Sequence, residues 1–331
     1  MSDEGPPCWV LSDGKAGTEN QCIGLAEALG IPFLVHRLVR RAVTDWLPAL
    51  FWAPTGTLAL RAAGRAPGLK PPWPRLLIAA GRPSVGPAMA IRRAAQGATF
   101  AVQLQDPRVA PRHFDLVIPP AHDGLVGPNV LPTLGALHRI TSDKLATAAD
   151  RWQGRYAALP HPRIAVLIGG ASKHHRMSID TAKRIGTQLR ALCLSSGASL
   201  MITTSRRTDP ACHQALAQAL VGQPVDFWDG TGDNPYAGML ASADGIVVTA
   251  DSVTMASEAA STGKPVFVAD LVGGSPKFDR FHDTLRQRGI SREFDGHWAT
   301  WTYQPLNEAH RIAEEVHRRL ALPPPNGDDF H

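Results

Sequence analysis

Short apolar runs alternate with amphipathic stretches along almost the whole chain. Leu76-Leu77-Ile78-Ala79-Ala80 and Ile164-Ala165-Val166-Leu167-Ile168 contain no polar position, the mark of strands covered on both faces of a parallel sheet. The same reading predicts strands over 8–12, 33–38, 75–80, 99–104 and 116–118 in the first half, and over 164–168, 200–203, 225–228, 245–248 and 266–268 in the second. Between them apolar positions recur at helical spacing. Over 18–29, for example, Cys22, Leu25, Ala26 and Leu29 share one face. Further helices are expected over 86–95, 178–194, 211–220, 236–241, 253–261, 279–288 and 307–320. Strands alternating with helices in this way predict an α/β chain of two Rossmann-like, doubly wound parallel-sheet domains facing a cleft.

Leu159-Pro160-His161-Pro162 cannot continue a helix and marks the break between the two rounds. The expected organisation is a domain over 1–158, a second over 159–306, a helix over 307–320 packing back on the first domain, and a disordered tail over 321–331. A length of 331 residues suits two domains. Ligands of such sheets bind beyond the carboxyl ends of the strands, so the residues just after each strand carry the functional question.

Composition narrows the classes. With 44% hydrophobic and 19% charged residues the chain is globular, and the absence of an apolar run near membrane-spanning length argues against a transmembrane helix. Met1–Pro7 is acidic and polar, so no secretory signal is expected and the chain is placed in the cytoplasm. Cys8, Cys22, Cys193 and Cys212 lie far apart without a CxxC pair, which fits a reducing compartment and neither zinc nor disulfides. The net charge of +5 comes from 27 arginines and seven lysines that form no basic stripe, so no nucleic-acid groove is expected. The segment Asp45-Trp46-Leu47-Pro48-Ala49-Leu50-Phe51-Trp52 reads either as core between the second and third strands or as a peripheral contact with the inner membrane.

The strand ends hold the candidate chemistry. The first runs into Ser12-Asp13-Gly14-Lys15-Ala16-Gly17-Thr18-Glu19-Asn20-Gln21, read as a ten-residue polar loop with glycines for close approach and Asp13 placed to take a proton. Gly14, Lys15, Gly17, Asn20 and Gln21 are its candidate ligands, joined by Gly81 and Arg82 after the third strand and by Gln105 and Asp106 after the fourth. In the second half, Gly169-Gly170-Ala171-Ser172-Lys173 offers paired glycines and a cation suited to a pyrophosphate. Thr204, Ser205, Arg206 and Arg207 follow the next strand. The densest signal is Asp251-Ser252-Val253-Thr254-Met255 at the start of a helix, whose open N–H groups favour an anion. Two turns on, Glu258 can accept hydrogen bonds from vicinal ribose hydroxyls.

Other motifs fail on spacing. Thr262-Gly263-Lys264-Pro265 lacks the upstream glycine and the hydroxyl of a phosphate-binding loop, and no GxSxG, HExxH or Asp-x-Asp pattern occurs. A metal-independent site without a cofactor is expected.

Two resemblances attach to these residues. Asp244-Gly245 through Glu258-Ala259, followed by Gly263-Lys264-Pro265-Val266, resembles the nucleotide-sugar signature of GT-B glycosyltransferases. More specifically, Ser12-Asp13-Gly14-Lys15-Ala16-Gly17 with Asn20-Gln21 is similar to the opening of the family named for the plant "elongated mitochondria" fission factor. Gly169-Gly170, the run Thr203-Thr204-Ser205-Arg206-Arg207-Thr208, Asn234-Pro235-Tyr236 and the turn from Asp251 to Glu258 match its later motifs. The resemblance implies a GT-B-like fold, and the composition places the chain on the family's bacterial branch, away from the plant role in organelle fission. GT-B sites carried over imply Glu258 on the donor ribose, Ser252, Val253 and Thr254 on the diphosphate with Gly170 opposite, and Asn234, Pro235 and Tyr236 near the base. They further imply Asp13 as the acceptor's base, where many inverting members have histidine, and Arg206 as the counter-charge of the leaving group.

The function expected is a metal-independent glycosyltransferase of envelope or glycolipid synthesis, acting on a nucleotide sugar and an acceptor of the lipid-linked kind. The alternatives are a nucleotide-sugar 2-epimerase and a non-catalytic scaffold that keeps the fold.

Overall fold

The structure is a computed structural model and describes residues 7–38 and 69–320. The chain divides into two units, Met1–Arg139 with Asn307–His331, and Ile140–Leu306.

In the first unit the strands β1 (Cys8–Ser12), β2 (Phe33–Arg37), β3 (Leu76–Ala80), β4 (Phe100–Leu104) and β5 (Leu116–Ile118) form one parallel sheet. Its order is β2-β1-β3-β4-β5, so the chain reverses its winding between β1 and β3. Every residue of β1 and β3 is buried, as their unbroken apolar sequence requires. Helix α1 (Ala16–Ala28) brings Cys22, Leu25 and Ala26 onto one face of the sheet. It is anchored by a close approach at Gly24, where a Cβ would lie 2.4 Å from the His138 carbonyl oxygen. Helix α2 (Arg82–Ala94) covers the other face with Val85, Ala88, Met89 and Ile91. It begins four residues earlier than its apolar pattern indicates, because Pro83 in the first turn has no N–H to leave unpaired.

In the second unit β6 (Arg163–Ile168), β8 (Ser199–Thr204), β9 (Val225–Phe227), β10 (Gly245–Thr249), β11 (Val266–Ala269) and β13 (Ser291–Glu293) form a parallel sheet in the order β13-β11-β10-β6-β8-β9. The winding reverses between β6 and β10, the doubly wound arrangement with its switch at the sheet's centre. The short strands β7 (His175–Arg176) and β12 (Val272–Gly273) pair antiparallel. The helices are α3 (Ser142–Tyr156), α4 (Ile179–Ser196), α5 (Pro210–Ala219), α6 (Tyr236–Ser242), α7 (Val253–Ala260) and α8 (Pro276–Gln287). Local chemistry sets their ends. Ser178 Oγ accepts the Thr181 N–H and Gly197 turns left-handed at φ +70° to close α4, while Asp209 caps α5 ahead of Pro210.

Two expectations of organisation change. The boundary falls at 139/140 rather than 158/159, because α3, absent from the expected elements, packs on α6. A Cβ at Gly238 of α6 would lie 2.4 Å from the Trp152 ring of α3, and Arg155 pairs with Asp226 at 2.8 Å. Strands β7, β12 and β13 also escape the apolar pattern, being two or three residues long, with β7 and β13 polar in sequence. The last helix, α9 (Glu308–Leu320), belongs to the first unit. Its Ile312, Ala313 and Val316 join the core of Leu25 and Leu29, and the His317 ring donates to the Leu29 carbonyl at 3.2 Å. The aromatic segment over 45–52 and the tail over 321–331 lie outside the described residues.

Replacing Gly24 with alanine forces a methyl group against the backbone of His138. We expect a loss of about 1–3 kcal/mol, read as a lower urea midpoint for the first unit, and an unchanged midpoint would refute the close approach.

Candidate functional site

At the switch of the second unit a buried carboxylate organises three strand ends. The Asp251 side chain is wholly shielded from solvent. It accepts from the Thr249 hydroxyl at 2.7 Å, the Gly170 N–H at 3.1 Å and the Arg207 guanidinium at 3.1 Å. Thr249 Oγ1 in turn accepts the Gly169 N–H at 2.7 Å. Thr208 Oγ1 donates to the Gly169 carbonyl at 2.6 Å. Gly169 and Gly170 are glycines because of this knot. A Cβ on the first would lie 2.1 Å from Asp251 Oδ1, and one on the second 2.3 Å from the Arg207 backbone.

The knot corrects the pyrophosphate reading of these glycines. Both of their N–H groups already have acceptors inside the protein, so neither is open to a phosphate. Arg207 is engaged by Asp251 and by the Ala171 carbonyl, which makes it part of the scaffold. Ser172 closes a tight turn by accepting the His174 and His175 N–H groups, with Lys173 exposed at its tip. Ser205 closes another by accepting the Arg207 N–H at 3.1 Å, and Thr204 Oγ1 sits 3.5 Å from His213 Nδ1. Arg206, exposed on that turn, has no hydrogen-bond or ion-pair partner among the described residues.

Immediately after the knot, Ser252 caps α7 by accepting the Met255 N–H at 3.2 Å. The Val253 and Thr254 N–H groups remain as the open donors of that first turn, at the helix's positive end. Glu258 lies partly buried on the same helix, and its Oε2 accepts the Tyr236 hydroxyl at 2.5 Å. Burial pushes the Glu258 carboxyl up to about 7, against the opposing pull of the Tyr236 hydrogen bond. Burial likewise raises the Tyr236 phenol, with the neighbouring carboxylate adding to it. The segment before α6 is shaped by Asn234, whose Oδ1 accepts the Tyr236 N–H at 3.0 Å, and by buried Pro235. Lys264 fixes the far end of α6, its Nζ donating to the carbonyls of Leu240 at 2.7 Å and Ala241 at 2.6 Å. Burial brings that ammonium down to about 8.

In the first unit the switch between β1 and β3 brings Asp13 against Gly81, where a Cβ would lie 3.2 Å from the Asp13 Cγ. Gly81 has φ +85°, a conformation that favours glycine. The Asp13 carboxylate is almost fully covered and accepts from the Lys15 N–H at 3.2 Å, while the Lys15 ammonium sits 3.1 Å away. The expected ten-residue loop is in fact three residues, since α1 starts at Ala16 without a side-chain cap. Gly17 therefore lies in the helix's first turn and Asn20 and Gln21 lie on its body. Ser12 Oγ accepts the Gly14 N–H at 3.0 Å, and Gly14 turns at φ +76°. Gln105, left-handed at φ +70°, donates to Gln21 Oε1 at 3.5 Å. Asp106 pairs with Arg108 at 3.1 Å, and Arg82 opens α2 at the surface.

Thr249 and Thr208, which complete the knot, were not among the expected site residues. Each is the hydroxyl residue that closes or follows a strand in a motif already marked, so position alone could have found them. Among the described residues no group of three or more His, Cys, Asp or Glu side chains could hold a metal ion, and no helix is long and apolar enough to cross a membrane.

The family model described as "Mitochondrial fission ELM1" matches residues 16–320. The mitochondrial fission protein ELM1 of Arabidopsis thaliana is 32% identical over 390 aligned residues, covering 94% of this chain and 90% of the plant protein. Among solved structures, the UDP-GlcNAc 2-epimerase of Methanocaldococcus jannaschii is similar over 96% of this chain and 99% of its own, with a TM-score of 0.51 at 11% identity. Acinetobacter baumannii MurG is similar over 95% of this chain and 90% of its own, with a TM-score of 0.50 at 13% identity. At these identities the likeness establishes the fold, an α/β fold with parallel sheets of the GT-B kind.

Removing the Asp251 carboxylate leaves the Gly170 N–H, the Thr249 hydroxyl and the Arg207 guanidinium without their acceptor. Asp251→Ala is expected to cost the second unit about 3 kcal/mol in urea unfolding, whereas a loss below about 1 kcal/mol would deny the knot its structural role.

Proposed function

Because the chain belongs to the mitochondrial fission ELM1 family and has a GT-B-like fold, we propose that it binds a nucleoside diphosphate sugar in its second unit and acts as a metal-independent glycosyltransferase. One observation carries this reading. Glu258, a partly buried carboxylate with acceptor capacity left over, lies on the helix whose first turn keeps the Val253 and Thr254 N–H groups open. Open amides at a helix N-terminus suit a diphosphate, and a carboxylate further along the same helix suits the hydroxyls of its ribose.

In the proposed reaction an acceptor hydroxyl attacks the anomeric carbon of the sugar. The new carbon–oxygen bond forms as the bond to the diphosphate breaks, and the hydroxyl proton passes to Asp13. Lys15, largely exposed, covers that carboxylate and must swing aside for it to serve as the base. Arg206, exposed and without a partner among the described residues, supplies positive charge to the leaving diphosphate. Lys15 and Arg207 are poorer candidates for that task, since each already faces a carboxylate.

The reading is tested by thermal shift with UDP, GDP, ADP, CMP and dTDP on the wild type and on Glu258→Gln. One nucleoside diphosphate at a hundred times its dissociation constant should stabilise the wild type by about 2.7 kcal/mol, and the variant should lose most of that gain. Silence from all five ligands would sink the nucleotide reading and favour a scaffold. Asp13→Asn should keep the stabilisation and abolish sugar transfer, whereas full turnover in that variant would remove Asp13 from the mechanism.

A further inference from the structure

We propose that Tyr236 is a positioning residue for Glu258, holding one carboxylate oxygen so that the other is presented, ionised, to a ribose hydroxyl. This rests on the nucleotide reading above and deepens it, because it makes ligand affinity a property of a two-residue device.

The geometry begins with α6. Its start is fixed by Asn234, whose Oδ1 accepts the Tyr236 N–H, and its end by Lys264, whose ammonium donates to the Leu240 and Ala241 carbonyls. Its middle is pressed on α3, because Gly238 leaves no room for even a methyl group against Trp152. Tyr236 therefore stands on a short helix held at three points, and its hydroxyl meets Glu258 Oε2 at 2.5 Å across 22 residues of sequence. A phenol donating to a carboxylate favours the charged form and fixes the plane of the carboxyl group. Glu258 Oε1 has no hydrogen-bond partner among the described residues, and is the oxygen left for a ligand.

The surroundings isolate the pair. Lys264, just beyond α7, directs its ammonium to the α6 carbonyls, and the charge that acts on it is Asp244. Asp251, before α7, faces Arg207. The Tyr303 hydroxyl donates to the Lys264 carbonyl. Burial and the Tyr236 hydroxyl are the influences on the Glu258 carboxyl, and they oppose each other. With that carboxyl near 7, a ligand that needs it ionised binds better as pH rises through neutrality and worse as pH falls. Deleting the phenol's hydrogen bond removes the downward pull, so the midpoint moves up, by about one to two pH units.

The test is isothermal titration with UDP between pH 6 and pH 9 on wild type, Tyr236→Phe and Glu258→Gln, the last to subtract the titration of the phosphate itself. A ligand-free readout accompanies it, the infrared carbonyl band of protonated Glu258, assigned by its disappearance in Glu258→Gln. Tyr236→Phe should bind UDP about fivefold more weakly than wild type at pH 7, for a midpoint shift of about one unit, and recover most of the difference at pH 9. The band should persist to correspondingly higher pH in the same variant. In Tyr236→Phe, wild-type affinity with an unmoved band, or a loss of affinity equal at every pH, would overturn the positioning role alone. Failure of the wild type to bind UDP, GDP, ADP, CMP or dTDP at any pH, with the band shifted, would overturn the nucleotide reading and this proposal with it.

Discussion

Asp251 is a carboxylate with no access to water, and such a group is tolerated only where donors replace the solvent it has lost. Three do so here, and each comes from a different strand end, Thr249 closing β10, Gly170 after β6 and Arg207 after β8. The two glycines follow from this arrangement, because any side chain at Gly169 or Gly170 would collide with the carboxylate or with the loop that answers it. The direction of the chain into Ser252, and hence the placing of α7 and Glu258, depends on the same turn. Removing the carboxylate would disturb far more than one ion pair.

The first unit reaches a comparable solution by a lighter route. Asp13 follows β1 as Asp251 follows β10, and each is backed by a glycine at the end of the neighbouring strand, Gly81 and Gly169. The difference lies in the partners. Asp13 draws its cation from Lys15 two residues on, an exposed and flexible arm, whereas Asp251 draws on three separate segments. A carboxylate held by one movable arm can be released to solvent or substrate. One held by three donors is far harder to release, and that physical difference is the ground for proposing the proton-transfer role for Asp13 and not for Asp251.

Much of this fold was legible in the apolar pattern. The strands buried on both faces were located almost to the residue, because nothing but such burial explains a run like Leu76–Ala80. What the pattern lost were elements set by other forces. Strand β13 has one buried residue and is recruited by β11, and α3 owes its place to Trp152 and Arg155 meeting α6 and β9. The candidate site was legible as a set of positions but not as a set of roles. Gly169, Gly170, Arg207 and Asp251 carry the residue types of a phosphate cradle, and no linear motif reveals that their donors and acceptors are directed at one another.

That distinction also separates the two carboxylates of the turn and helix from Asp251 to Glu258. Asp251 has donors from three segments and no exposure, so its acceptor capacity is met within the protein. Glu258 has a single donor, and burial holds it near 7, where small changes in surroundings decide its charge. A partly buried carboxylate with unmet acceptor capacity raises the free energy of the empty protein, and a ligand that supplies the missing donor lowers it. The unsatisfied member of the pair is therefore the one that a ligand's donor would stabilise, while the satisfied member holds the helix on which it is carried.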